Sequence, residues 1–181
     1  MKTRAVVLVE GISDRLALET LAERRGHDLD AEGIAVIAIG GAHALGNALR
    51  KLDPDVEVVG LCDAGEEDAF RRALEASGVG TALDRASLEA LGFYVCEEDL
   101  EDEPVRALGC ARVTDIIDGQ DETSRFRTFQ KQPEKRELSL GAQLRGFMWN
   151  RKIRYAPLLV GALELDRVPR PLDGVLAHVT R

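Results

Sequence analysis

With 181 residues, 45% of them hydrophobic, the chain has room for one domain with at most a small appendage and can bury a real core. It contains no run of about 18 apolar residues and so no membrane-spanning helix is expected. The apolar stretch in MKTRAVVLVEGISDR stops at Glu10, too early for a signal peptide, so a cytoplasmic protein that avoids membranes is expected. The net charge of −8 argues against indiscriminate binding to nucleic acid, but it is unevenly spread. Residues 123–181 hold 12 basic and 5 acidic side chains, whereas residues 1–122 hold 12 basic and 27 acidic ones. An acidic front suits a metal and a basic back suits phosphate, unless these are two unrelated surface compositions.

In chain order, RAVVLVE is a β-branched run ending on an acid. SDRLALETLAERRG follows with helical spacing, Ser13 as a candidate cap and Gly26 as a stop. IAVIAIGG is a second strand, and AHALGNALRKLDP reads as a helix closed by Pro54. VEVVGLCD is a third strand, leading into the helix of EEDAFRRALEASG; a short helical SLEALG precedes a fourth strand, FYVCE. Apolar strands alternating with helices predict an α/β fold with a four-stranded parallel sheet covered on both faces. After about Pro104 the pattern becomes helical, broken by Pro and Gly. We therefore expect an α/β domain over 1–108 and a basic, mainly helical extension over 109–181 packed on it. Cys62, Cys96 and Cys110 have no paired spacing and read as small buried residues.

In open α/β sheets ligands gather beyond the carboxyl ends of the strands. Three of the four strands deliver acids there: Glu10, with Asp14 one turn on; Asp63; and the run Glu97, Glu98, Asp99, Glu101, Asp102. The second strand delivers Gly40 and Gly41, which leave room for close approach. Oxygen ligands without histidine or cysteine suit Mg²⁺ or Mn²⁺. Asp14, Glu66 and Glu67 are equally at home as acids in the first turn of a helix. Glu10 and Asp63 directly follow apolar runs and should be partly buried.

VLVEGISDRLALETLA resembles the opening motif of TOPRIM domains, and the spacing of Glu10, Gly11 and Asp14 resembles the overcoming-lysogeny-defect (OLD) nucleases. IAIGGAHAL is similar to that family's glycine motif, CDAGEE stands where Asp-x-Asp is usual, and EEDLEDE resembles the late acidic motif. The resemblance covers about Arg4 to Leu108. It implies a Rossmann-like TOPRIM fold with metals on Glu10, Asp14, Asp63, Asp99 and Glu101, Glu10 also assisting proton transfer. NRKIRYAPLL resembles the segment that carries an OLD lysine, which makes Lys152 the candidate for stabilising phosphate charge. Two departures stand out. Gly65 replaces the second aspartate of Asp-x-Asp, leaving Glu66 or Glu67 to reach back, and we take Glu67 as a metal candidate. No GxxxxGK[ST] loop is present, so the chain is expected to be a stand-alone module or to borrow an ATPase from a separate partner chain.

In the basic segment, Arg125, Arg127, Lys131, Arg151 and Arg154 are the candidate contacts to nucleic acid, while Phe126, Phe129, Phe147 and Trp149 either stack on bases or, as such aromatics more often do, fill the core. The function expected from the resemblance is an Mg²⁺- or Mn²⁺-dependent nuclease acting on DNA. Its rivals are a non-catalytic module that binds nucleic acid or an ATPase, and a nucleotidyl transferase or small-phosphate hydrolase.

Overall fold

The computed structural model describes residues 2–181. Four parallel strands, β1 (Ala5–Val9), β2 (Ile34–Ala38), β3 (Glu57–Cys62) and β4 (Phe93–Val95), form one sheet in the order β2-β1-β3-β4. Every residue of β1 is buried, because both faces of the central strand are covered. Alternation then sends Ala5, Val7 and Val9 into one core and Val6 and Leu8 into the other.

The Val6/Leu8 face is covered by α2 (Leu45–Lys51), α3 (Glu67–Ala76) and α4 (Arg85–Ala90), through Leu45, Phe70, Leu74 and Leu88. Phe70 meets Phe93 edge to face at 5.9 Å. Gly60 is required between them: a Cβ there would lie 3.0 Å from both the Leu8 carbonyl and the Phe93 ring. The opposite face is covered by α1 (Ile12–Arg24), α8 (Lys152–Ala162) and α9 (Arg170–Val179). Two of these three helices come from the far end of the chain, so the helical extension supplies much of one layer. Gly174 lets α9 lie against Tyr94, where a Cβ would stand 2.3 Å from the ring.

A third core lies beside the sheet, between α5 (Asp102–Asp118), α6 (Thr123–Gln130), α7 (Leu140–Met148) and α8. Helix α8 joins the two regions, turning Ala156 and Val160 to the sheet and Tyr155 and Leu159 to the third core. Helix α5 is kinked at Gly109, whose φ of 76° is open to glycine but strained for other residues. The helical run breaks between α5 and α6, over residues 119–122. Ser13 is not the cap of α1. Gly11 holds that position, and the Asp14 carboxylate accepts the Gly11 N–H at 2.8 Å. Among the described residues no helix is long and apolar enough to cross a membrane.

Candidate metal centre and basic cleft

Glu10 is the first residue past β1. Its Oε1 accepts the backbone N–H of Asp63 at 2.8 Å, and its carbonyl oxygen accepts those of Gly40 at 2.8 Å and Gly41 at 3.2 Å. Gly40 and Gly41 have φ of 82° and 106°, so the turn that brings both donors to one carbonyl demands glycine. The glycine motif thus ties the end of β2 to the first acid. Asp63, the first residue past β3, accepts the Leu100 N–H at 3.0 Å, and Ala64 donates to the Glu98 carbonyl at 2.9 Å. Buried Leu100 anchors this loop, so the acidic run is stitched onto the edge where Asp63 sits.

These bonds gather like charges. Burial and repulsion from Glu10, Asp14, Asp99 and Glu101 raise the Asp63 carboxyl from an ordinary 3.8 to about 8. Glu10 is raised by burial and by Glu66 and Asp14, against the Asp63 N–H and Lys152. Asp14 is raised by burial against its hydrogen bonds to Gly11 and Ser13. Glu101 is raised by burial and by Asp99 and Asp14, against the Lys152 ammonium 2.8 Å from its Oε2. Only 7% of Glu101 is exposed, and its Oε1 is buried without a partner. Burial works to lower Lys152, but Glu101, Asp99 and Asp63 outweigh it and hold the ammonium charged.

The structure sorts the acids that sequence could only count. Glu67 turns outward to Arg85, whose Nη2 lies 2.8 Å away, so it is not the glutamate that reaches back. Glu66 does: its Oε2 accepts the Ala42 N–H at 2.6 Å across the edge, within electrostatic range of Glu10. Its position three residues after Asp63, just before a helix, was the available signal. Asp102 and Glu103, both buried, pair with Arg106, and Asp102 also with Arg145. Asp99 accepts the Asp102 N–H at 2.8 Å. The late acidic run therefore divides into residues facing the edge, Asp99 and Glu101, and residues neutralised by arginine.

Among the described residues no three Asp, Glu, His or Cys side chains form a ready-made cage for an ion. A divalent cation of the Mg²⁺ type does not require one, since it keeps waters and takes one or two carboxylates plus substrate phosphate. The donor set is all oxygen, its members repel one another, and one buried Glu101 oxygen has no partner. These residues fit such an ion.

Beside the acids runs an open cleft of about 760 Å³, walled by Ile12 and Ser13 of α1 and by Arg125, Trp149, Lys152 and Arg154. At its base lies Glu122, 3% exposed. It accepts from the Tyr155 hydroxyl at 2.7 Å and from Arg125 at 3.1 Å, with Arg151 at 3.6 Å and Arg154 at 3.5 Å. The Tyr155 bond, then Arg125, Arg154 and Arg151, hold Glu122 below the usual carboxylate range. Of the five predicted basic contacts, Arg125, Arg151 and Arg154 converge on this carboxylate, while Arg127 and Lys131 are exposed on and just after α6 and do not line the cleft. Phe126 and Phe147 are core as expected, but Trp149 is 62% exposed. Glu122, a lone acid heading the basic segment, and Trp149, the chain's single tryptophan, are the cleft-lining residues that local pattern did not single out.

Residues 3–64 match the family described as overcoming lysogenization defect protein-like, TOPRIM domain. That span carries Glu10, Asp14, Gly40, Gly41 and Asp63 and ends before Asp99, Glu101 and Lys152. No curated protein matches the chain. Among solved structures, it is similar to the C-terminal region of the Burkholderia pseudomallei OLD protein, at 20% identity and a TM-score of 0.74, covering 99% of this chain and 98% of that one. It is likewise similar to the C-terminal region of the Xanthomonas campestris pv. campestris OLD protein, at 23% identity and a TM-score of 0.74, covering 98% of this chain and 92% of that one. Residues 3–64 thus resemble the TOPRIM domain of OLD proteins, and the chain shares the α/β fold of their C-terminal regions.

Proposed function

We propose, from the premise of an OLD-like TOPRIM domain, that this protein is a divalent-metal-dependent nuclease that hydrolyses DNA phosphodiester bonds. The observation that carries the proposal is the mutually repelling set Glu10, Asp14, Asp63, Asp99 and Glu101 at the carboxyl edge of a parallel sheet, with Lys152 beside it. Mg²⁺ or Mn²⁺ would be held by one or two carboxylates of this set per ion together with substrate phosphate, with Glu66 as a further oxygen donor where the second aspartate is missing. When bound, such an ion polarises the phosphate and lowers the pKa of water. The chain's own groups supply the rest. Glu10, with its raised proton affinity, suits the role of taking a proton from the attacking water. Lys152, held charged, is placed to stabilise negative charge that grows on the phosphate. The arginines around Glu122 offer positive charge to the backbone beyond it.

Supercoiled plasmid with Mg²⁺, Mn²⁺ or Ca²⁺ tests this. Nicking with Mg²⁺ or Mn²⁺ is expected, falling about 10³-fold in Glu10→Ala and Asp63→Ala. A second reading, a non-catalytic DNA-binding module, draws on Gly65 and on the absence of a ready-made cage among the described residues. DNA binding without cleavage in any of the three metals would favour it.

A further inference from the structure

Trp149 stands apart from the segment that carries it. Its neighbours Phe147 and Met148 are almost wholly buried, yet Trp149 lies open on the cleft wall, flanked by exposed Ile12 and Ile153. A lone exposed apolar residue needs no explanation, but three bordering one cleft do. The Lys152 ammonium sits 4.3 Å from the centroid of the indole ring, and the same ammonium holds Glu101 at 2.8 Å. One side chain therefore connects the ring to the acidic edge. Three guanidiniums on the single Glu122 carboxylate leave a surplus of positive charge on the same cleft. That surplus is fixed in place, because Tyr155 and the third core hold Glu122 from below and Arg151 is stacked on Phe147 at 4.3 Å.

We propose that Trp149 is a stacking platform for an unpaired nucleobase of the DNA strand, with the Glu122-centred arginines holding an adjacent phosphate. This deepens the nuclease proposal and rests on it for the position of the scissile bond. An aromatic face beside a fixed positive surplus has the chemistry of single-strand recognition, which needs stacking for the bases and cations for the backbone. In a paired duplex the base faces are already stacked on each other, so the indole can reach only an unpaired strand, a frayed end or a displaced base. Lys152 then lies between the stacked base and the phosphate at the acids.

Trp149 is the chain's only tryptophan, so its fluorescence reports the platform directly. The wild-type chain is titrated in Ca²⁺ with oligothymidylate and with a blunt hairpin duplex of equal length, labelled for anisotropy. Oligothymidylate is expected to quench Trp149. Trp149→Ala is expected to weaken its binding about 10-fold, with Trp149→Phe recovering most of the loss and duplex binding unchanged. Because Trp149 is exposed, these variants should melt with the wild type, and a melt of each checks this. Oligothymidylate that binds without quenching or does not bind, equal quenching by the duplex, or unaltered binding by Trp149→Ala would each overturn the platform. Plasmid nicking alongside a failed platform would leave the nuclease standing. Quenching without cleavage in Mg²⁺ or Mn²⁺ would do the reverse.

Discussion

The acidic edge and the floor of the cleft solve the same problem in opposite ways. At the edge, several carboxylates share a few backbone N–H groups and one lysine, so negative charge is left over and Asp63 keeps its proton up to about pH 8. At the floor, one carboxylate is shared by three arginines and a tyrosine, so positive charge is left over and Glu122 gives up its proton early. Buried or half-buried charge left unbalanced costs folding energy unless a ligand balances it. A negative surplus calls for a cation and a positive one for phosphate, and the two are linked through Lys152, which lines the cleft and holds Glu101. Asp102 and Glu103 show a third arrangement: both buried, they are paired directly with arginine, Arg106 for each and Arg145 for Asp102 as well.

The strongest test of this contrast is Lys152→Ala. If Lys152 serves the reaction, cleavage should fall about 10²-fold or more, while isothermal titration shows Ca²⁺ bound more tightly because a positive charge has left the acidic edge. Retained cleavage would reduce Lys152 to a counter-ion for Glu101. Next, Glu122→Ala should destabilise the third core by about 1–3 kcal/mol in urea unfolding, since Tyr155 loses its buried acceptor and the arginines lose their anchor. Unchanged stability would mean that the arginines are not organised by this carboxylate.

The contrast also fixes opposite pH dependences. Asp63 is raised in the folded chain, so folding takes up a proton between about pH 4 and pH 8, and the metal-free protein should lose stability as pH rises through that window. Glu10, Asp14 and Glu101 are shifted in the same direction. Mn²⁺ competes with those protons, so its affinity should rise with pH over the same range and flatten the loss. Glu122 is lowered, so its contribution is present above the ordinary carboxylate range and is lost as pH falls through it. Thermal melts of the wild type and of Glu122→Gln, with and without Mn²⁺, separate the two slopes. A melting temperature insensitive to pH in the metal-free protein would contradict the negative surplus. The smallest effect belongs to Gly65→Asp. Nothing lies within 4 Å of a Cβ there, so the aspartate fits, and it should tighten Mn²⁺ binding several-fold while lowering the metal-free melting temperature slightly.

Much of this was legible in the sequence, and its limits are physical. Strand and helix types follow from local periodicity, so the four parallel strands and the placing of Glu10 and Asp63 just past apolar runs could be read directly. The glycines at 40 and 41 announced a special turn, though not that both N–H groups would converge on the Glu10 carbonyl. Side-chain direction was harder. Glu66 and Glu67 are adjacent and chemically identical, and only the pitch of the turn before α3 and the presence of Arg85 send one inward and the other out.

By itself, then, the sequence determined the sheet, the acids at its carboxyl edge and the basic character of the last third, because each depends on residue type and short-range spacing. Only the tertiary structure decided which charges are balanced. Lys152 meets Glu101 across 51 positions, and Tyr155 meets Glu122 across 33. It also decided that Phe147 is core while Trp149, two residues on, lies open on the cleft. A charge's partner, like the exposure of an aromatic ring, is set by which helices pack together, and no local pattern records that.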